Sequence, residues 1–183
     1  MLQQMELVNG KVTRNGELIG NVHVYVNPDE RERKYLVETL KIDEHTLASA
    51  LDPDELARLE SEPDHMAIIY KRPRNYSSAD EFVFRVASTG LFLFADKLVI
   101  VVSDDMPLFQ GKPFAKVLSL QDLVLRNIYS SIFHFVEHLK VINAVSESLE
   151  DQIAASMQNK YLLNLFSLEK SLVYYLNAIN TNA

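Results

Sequence analysis

The stretch LQDLVLRNIYSSIFHFVEHLKVINAVSESLEDQIAAS, Leu120 to Ser156, decides how the rest of the chain is organised. Its apolar residues, from Leu120, Leu123, Val124 and Ile128 through Ile132, Phe135, Leu139 and Ile142 to Val145, Leu149 and Ile153, step mostly by threes and fours. That spacing is one stripe on a helix. At about 1.5 Å per residue such a helix is roughly 55 Å long, which exceeds the width of a small domain. From Phe114 to Ala183 there is neither glycine nor proline. A second helix is expected after a break near Gln158-Asn159, with Leu162, Leu165, Leu168, Leu172, Leu176 and Ile179 as its apolar stripe. Residues 119–183 therefore read as a helical arm attached to a body formed by residues 1–118. Ser119 is placed to cap the long helix, with Asp122 three residues on in the manner of a capping box.

Working back toward the N-terminus, the pattern turns from helical to extended. Leu91–Phe94 and Leu98–Val102 are apolar on both faces, as expected of strands covered on both sides. Ala95-Asp96-Lys97 and Ser88-Thr89-Gly90 read as tight connections, and the polar run Arg74 to Asp80 reads as a loop. Phe82–Ala87, His65–Lys71 and Asn21–Val26 also carry strand patterns, the last with Val22, Val24 and Val26 on one side. Asn15-Gly16 is a hairpin signal. Asn27-Pro28-Asp29-Glu30 predicts a helix capped by Asn27 and running to about Leu40. Asp43 is a candidate cap for a short helix through Leu51, and Asp52-Pro53-Asp54-Glu55 repeats the start signal. Helices, clustered strands and a helical arm make the body α/β or α+β, with a buried sheet.

Composition narrows the function classes. A formal net charge of −7 and a single short basic patch, Lys71, Arg72 and Arg74, argue against a nucleic-acid partner, which requires clustered cations to neutralise phosphates. The absence of cysteine excludes disulfides, thiolate metal sites and cysteine nucleophiles. The N-terminal ten residues show no secretory pattern, and apolar runs such as Leu98–Val102 are far shorter than the ~18 residues of a spanning helix. The chain reads as soluble. Its five glycines are scattered singly, so no phosphate loop is present, and no serine lies in a nucleophile elbow.

Two constellations could hold a metal. His134-Phe135-Val136-Glu137-His138 fits the H-x-x-E-H pattern of inverted zinc peptidases, in which two imidazoles four apart share a cation and the glutamate acts as base. The next carboxylates, Glu147 and Glu150, lie roughly 15 to 20 Å further along the same rod, too far to complete that site. Both histidines fall off the apolar stripe, which assigns them to solvent or to an interface. Asp52, Asp54 and Glu55 form an acidic cluster suited to a hard cation, with a helix cap and first-turn acids as the competing role. Asp104 and Asp105 read as turn residues. No active site emerges, and an enzymatic function is not expected.

The run Ala50-Leu51-Asp52-Pro53-Asp54-Glu55-Leu56-Ala57-Arg58-Leu59-Glu60, followed by Asp64-His65-Met66-Ala67-Ile68-Ile69-Tyr70-Lys71-Arg72-Pro73, resembles the CorA family of divalent-cation transporters. Leu165-Phe166-Ser167-Leu168-Glu169-Lys170-Ser171-Leu172-Val173-Tyr174-Tyr175-Leu176 is similar to a second stretch of that family, in the same order and spacing. The resemblance covers about Asn21 to Asn182. It implies a mixed sheet sandwiched between helical layers, followed by the helical arm and set in a homopentamer on the cytoplasmic side of a membrane pore. It also implies that Mg²⁺ held between neighbouring cytosolic domains keeps that pore closed. Membrane contact would come only through a C-terminal segment absent from this chain, as are the family's Gly-Met-Asn motif and both membrane helices. Where family members carry a Glu-Asp pair before the acidic run, this chain has Ala48-Ser49, and Leu56-Ala57 replaces the usual Arg-Pro. Asp52 and Asp54 are then the candidate ligands for a weakly held regulatory Mg²⁺, with no tightly bound cofactor. The expected function is the cytosolic regulatory domain of a magnesium or cobalt transporter. A zinc-transporting relative and a free-standing self-association module are the alternatives.

Overall fold

A computed structural model describes residues 1–14, 20–76, 82–156 and 158–183. The strands are β1 (Leu2–Val8), β2 (Lys11–Arg14), β3 (Val22–Val26), β4 (Arg58–Ser61), β5 (His65–Pro73), β6 (Val86–Phe94) and β7 (Leu98–Val102). The α-helices are α1 (Glu30–Glu38), α2 (Glu44–Ser49), α3 (Leu120–Ser156) and α4 (Asn159–Asn182), with a 3-10 turn at Lys112–Phe114. The strands form one sheet in the order β2-β1-β3-β7-β6-β5-β4. Among the described residues only β3 and β7 run parallel, Val24 opposite Ile100, and the other neighbours are antiparallel.

Every residue of β7 is buried, because both faces of the sheet are covered. On one face Tyr25, Ile69, Phe92 and Val101 pack against Leu36 of α1, Leu47 of α2 and Ala50. On the other, Val22, Leu91, Leu98 and Ile100 pack against Phe114 and Val117, which precede α3, and against Leu123 and Val124 in its first turns. The fold is therefore a mixed α/β sheet between helical layers, as the resemblance implies. Beyond its first turns α3 exchanges the sheet for α4, and Phe135, Ile142 and Leu149 form a third core with Leu168, Tyr175, Ala178 and Phe84.

Local chemistry explains the helix ends. The Asp29 carboxylate accepts from Glu32 N–H while the Glu32 carboxylate accepts from Asp29 N–H, a reciprocal capping box. Asp29, not Asn27, is thus the cap of α1, and Asn27 takes a positive φ of 40° in the preceding turn. Asp43 caps α2 through Thr46 N–H, as expected. Ser119 Oγ accepts from Asp122 N–H at the start of α3, while the Asp122 carboxylate accepts from Leu118 N–H one residue before the cap.

Several expectations are corrected. Ser88-Thr89-Gly90 is not a connection but the middle of β6, where a Cβ on Gly90 would stand 2.6 Å from the Ala50 Cβ. Glycine is needed there so that the end of α2 can lie against the strand. Leu2–Val8 is a full strand that the N-terminal sequence did not announce. Its hairpin with β2 turns at Asn9-Gly10, both with positive φ, as a two-residue primed turn requires. The Asn15-Gly16 signal lies outside the described residues. β6 starts at Val86, so Phe82–Arg85 is not strand, and Asp52-Pro53-Asp54-Glu55 starts no helix.

Candidate functional site

The acidic run follows α2 as a turn. Asp52 Oδ1 accepts from Asp54 N–H at 2.9 Å, so one carboxylate folds the backbone back on itself. Beneath the turn lies Lys71, buried to 3% exposure in β5. Its ammonium donates to the carbonyl oxygens of Asp52 at 3.1 Å and Pro53 at 2.9 Å, and to Ser88 Oγ at 2.8 Å. Ser88 Oγ in turn donates to the Asp52 carbonyl. Burial lowers the Lys71 pKa, while the charges of Asp52, Asp54 and Glu55 act in the opposite direction. The carbonyl oxygens of the turn are thus committed to an internal cation. The carboxylate-bearing residues Asp52 and Asp54 are exposed on its outside.

Ser49 has no carboxylate to offer a cation, and its surroundings show what it does instead. Its buried hydroxyl lies 2.7 Å from Glu55 Oε2 and accepts from Arg58 Nη2 at 3.0 Å. Arg58 also pairs with Glu55 at 3.2 Å and Glu60 at 2.8 Å, and Glu60 accepts from Thr46 Oγ1. The Ser49 hydrogen bond and then Arg58 hold the Glu55 carboxyl below its usual range. Glu55 is thereby tied into the body, which leaves Asp52 and Asp54 as the outward oxygen donors of the run. Magnesium requires about six oxygens in near-octahedral array. Two carboxylates on an exposed turn supply the right donor type for a hard cation, with water or a second molecule completing the shell. Among the described residues no group of three His, Cys, Asp or Glu side chains converges to hold a metal.

The backbone of Lys71 links this turn to the arm. β4 pairs with β5 only as far as Ile69, which leaves the Lys71 amide and carbonyl beyond its end. Asn182, the last residue of α4, takes both: its Oδ1 accepts from Lys71 N–H at 2.7 Å, and its Nδ2 donates to Lys71 O at 2.8 Å. Ser131 of α3 donates to the same carbonyl at 3.2 Å. One residue therefore holds the acidic turn by its side chain and both arm helices by its backbone. Sequence reasoning missed this junction. The available signal was a lysine and an arginine inside an otherwise apolar strand, where a buried charge demands partners.

The two histidines of the H-x-x-E-H pattern are brought together, and their glutamate is not. His134 Nε2 lies 2.9 Å from His138 Nε2, and His138 Nδ1 lies 2.6 Å from the Tyr175 hydroxyl of α4. Glu137 is exposed and pairs with Lys140 at 2.8 Å, turned from the imidazoles. The pair is half-buried at the α3–α4 contact, with Phe84 edge-on to His138 at 5.6 Å. This is the interface alternative of the sequence reading, with the base geometry of a peptidase missing. Burial and then His134 push the His138 pKa down to about 4; burial and then Arg72 lower that of His134. Asp104 pairs with Arg74 at 3.1 Å and Arg72 at 3.7 Å, and Asp105 accepts from Gln3.

The buried face of α4 differs from the expected leucine stripe. Leu168, Ser171, Tyr175 and Ala178 are inside, whereas Leu172 and Leu176 are exposed. Ser171 explains the rotation, because its hydroxyl accepts from the buried amide of Phe84 at 3.0 Å. The outer surfaces of both helices carry large apolar residues, among them Leu125, Tyr129, Phe133, Leu163, Phe166 and Val173. No helix among the described residues is long and apolar enough to cross a membrane.

Over the whole chain, the fold is similar to the soluble domain of CorA from Methanocaldococcus jannaschii, with a TM-score of 0.79, 20% identity and 76% of that chain covered. The complete CorA magnesium transporter from the same organism matches 99% of this chain at a TM-score of 0.72 and 18% identity, and this chain covers 59% of its length. The ZntB cytoplasmic domain from Vibrio parahaemolyticus matches 98% of the chain and is itself covered to 75%, at a TM-score of 0.71 and 12% identity. No curated protein matches by sequence. Residues 22–183 match the family described as CorA-like Mg²⁺ transporter protein, a span that takes in the acidic turn, the Lys71 junction and the whole arm, and the chain belongs to that family.

Proposed function

We propose that this chain is the cytosolic regulatory part of a magnesium or cobalt transporter, and that it couples the intracellular level of divalent cation to the opening of a pore. The observation that carries the reading is the family match over residues 22–183, which joins the acidic turn to the arm in one unit. The Lys71 junction supports it physically. A cation that draws on Asp52 and Asp54 loads a turn clamped by the Lys71 side chain, and the same residue's backbone holds Ser131 and Asn182 at the arm. A cation that binds one arrangement of neighbouring copies better than another shifts the population toward it. The exposed apolar faces of α3 and α4 support a homo-oligomer, a pentamer in this reading, in which those faces are covered.

Asp52 and Asp54 are the proposed metal ligands, and the metal is Mg²⁺, bound at a regulatory site. With at most two carboxylates from one chain, the affinity of a single copy is on the order of millimolar. Calorimetry with Mg²⁺ tests this: shallow binding that disappears in Asp52→Asn is the expected result. Tight stoichiometric binding that survives Asp52→Asn overturns the assignment. A second reading, a zinc-transporting relative, is favoured by the likeness to the ZntB cytoplasmic domain. Uptake assays with the full-length transporter, comparing Mg²⁺, Co²⁺ and Zn²⁺, separate the two.

A further inference from the structure

We propose that His134 and His138 form a second cation site, chemically distinct from the carboxylate turn and selective for a six-coordinate first-row transition cation such as Ni²⁺ or Co²⁺. The two imidazoles lie one helical turn apart on α3, and their Nε2 atoms face each other at 2.9 Å. A metal at about 2.1 Å from each nitrogen would subtend an angle of about 90° across that gap. That angle belongs to adjacent positions of an octahedral or tetragonal shell, whereas tetrahedral Zn²⁺ needs the nitrogens about 0.5 Å further apart. Mg²⁺, a hard cation with a preference for oxygen, is not a competitor for paired imidazoles.

Two further features are those of a ligand pair. A metal-bound imidazole is oriented by a hydrogen bond from its other nitrogen. His138 Nδ1 already lies 2.6 Å from the Tyr175 hydroxyl, and the tautomer in which Nδ1–H donates to it leaves the Nε2 lone pair for the cation. Imidazole must also be neutral to coordinate. Both rings are half-buried at the α3–α4 contact, an environment that disfavours the charged imidazolium. As the cation enters, the proton shared between the two Nε2 atoms passes through solvent to the Nδ1 of the ring that carried it, so both rings stay neutral and both Nε2 lone pairs face the cation. Both residues remain partly exposed, which admits the waters that fill the other coordination positions. Glu137, held by Lys140, takes no part.

The test is a titration of the untagged 183-residue chain with Ni²⁺ in excess Mg²⁺, followed by calorimetry and by the imidazole proton resonances. One Ni²⁺ per chain is expected. The resonances of His134 and His138 should broaden before those of His23, His45 and His65, a readout that needs no variant. His134→Gln and His138→Gln should each weaken binding at least ~10-fold, and Tyr175→Phe should weaken it ~10-fold while keeping the stoichiometry. Prior broadening of the other three histidines, or unchanged affinity in the double variant His134→Gln/His138→Gln, would overturn the assignment.

Discussion

The body and the arm of this chain are stabilised in opposite ways. In the body, the β7 strand is sealed between two helical layers, and the charged residues of β5 that reach the interior are met by carbonyls, hydroxyls and a carboxylate. In the arm, α3 and α4 share a narrow core around Phe135, Leu149, Leu168 and Tyr175 and leave large apolar side chains facing outward. The body encloses both faces of its central strands, whereas the arm leaves large apolar side chains exposed. Under the proposed function, this division gives a rigid end for the proposed ligand turn and a responsive end that can change its contacts.

The largest loss is expected in the core. Ile100→Ala removes a fully buried side chain from the centre of the sheet and should cost about 2–5 kcal/mol, read as a fall in the denaturant midpoint. A loss below about 1 kcal/mol would mean that the sheet is not sealed as described. Lys71→Met comes next. It removes the donor shared by Asp52 O and Pro53 O and should cost about 2 kcal/mol, with faster amide exchange at residues 52–55. Asn182→Ala should release the end of α4 from β5 at a cost of about 1 kcal/mol, with exchange increasing in α4 before the sheet.

His65 sharpens the contrast through pH. It is buried, stacked on Phe94 at 4.8 Å, and burial lowers its pKa from 6.5 against the opposing pull of Glu62 and Asp64. A depressed histidine pKa favours the neutral form in the folded state. Its contribution to stability is present above pH 6.5 and is lost as pH falls through the lowered value. His65→Phe should flatten part of the acid limb of the stability curve, and an unchanged limb would assign that sensitivity elsewhere. The smallest effect is expected on the arm surface. Leu176→Ser, at a side chain 58% exposed, should change the stability of the single chain by no more than ~0.5 kcal/mol while reducing self-association.

Several elements of the fold were legible in the sequence. The period of α3 and its Ser119 start, the enclosed strands around Ala95-Asp96-Lys97 and the Asp43 cap all follow from local rules, and the structure keeps them. The failures share a physical cause, the override of local pattern by tertiary contacts. α4 carries leucines around most of its circumference, so periodicity could not choose a face, and Ser171 decided it by meeting the Phe84 amide. Gly90 looked like a turn because its reason is the approach of Ala50 from another element. Asp52 looked like a cap because the ammonium that holds its turn comes from residue 71. The candidate ligands were readable as acids, but the junction that ties them to the arm was not.

The most direct test of the cation-responsive reading is sedimentation velocity of the chain with and without millimolar Mg²⁺, repeated on Asp52→Asn/Asp54→Asn. The account predicts that Mg²⁺ shifts the wild-type chain toward a larger assembly and leaves the variant where it was. An identical distribution of wild-type species with and without Mg²⁺, or the same shift in the variant, would contradict it.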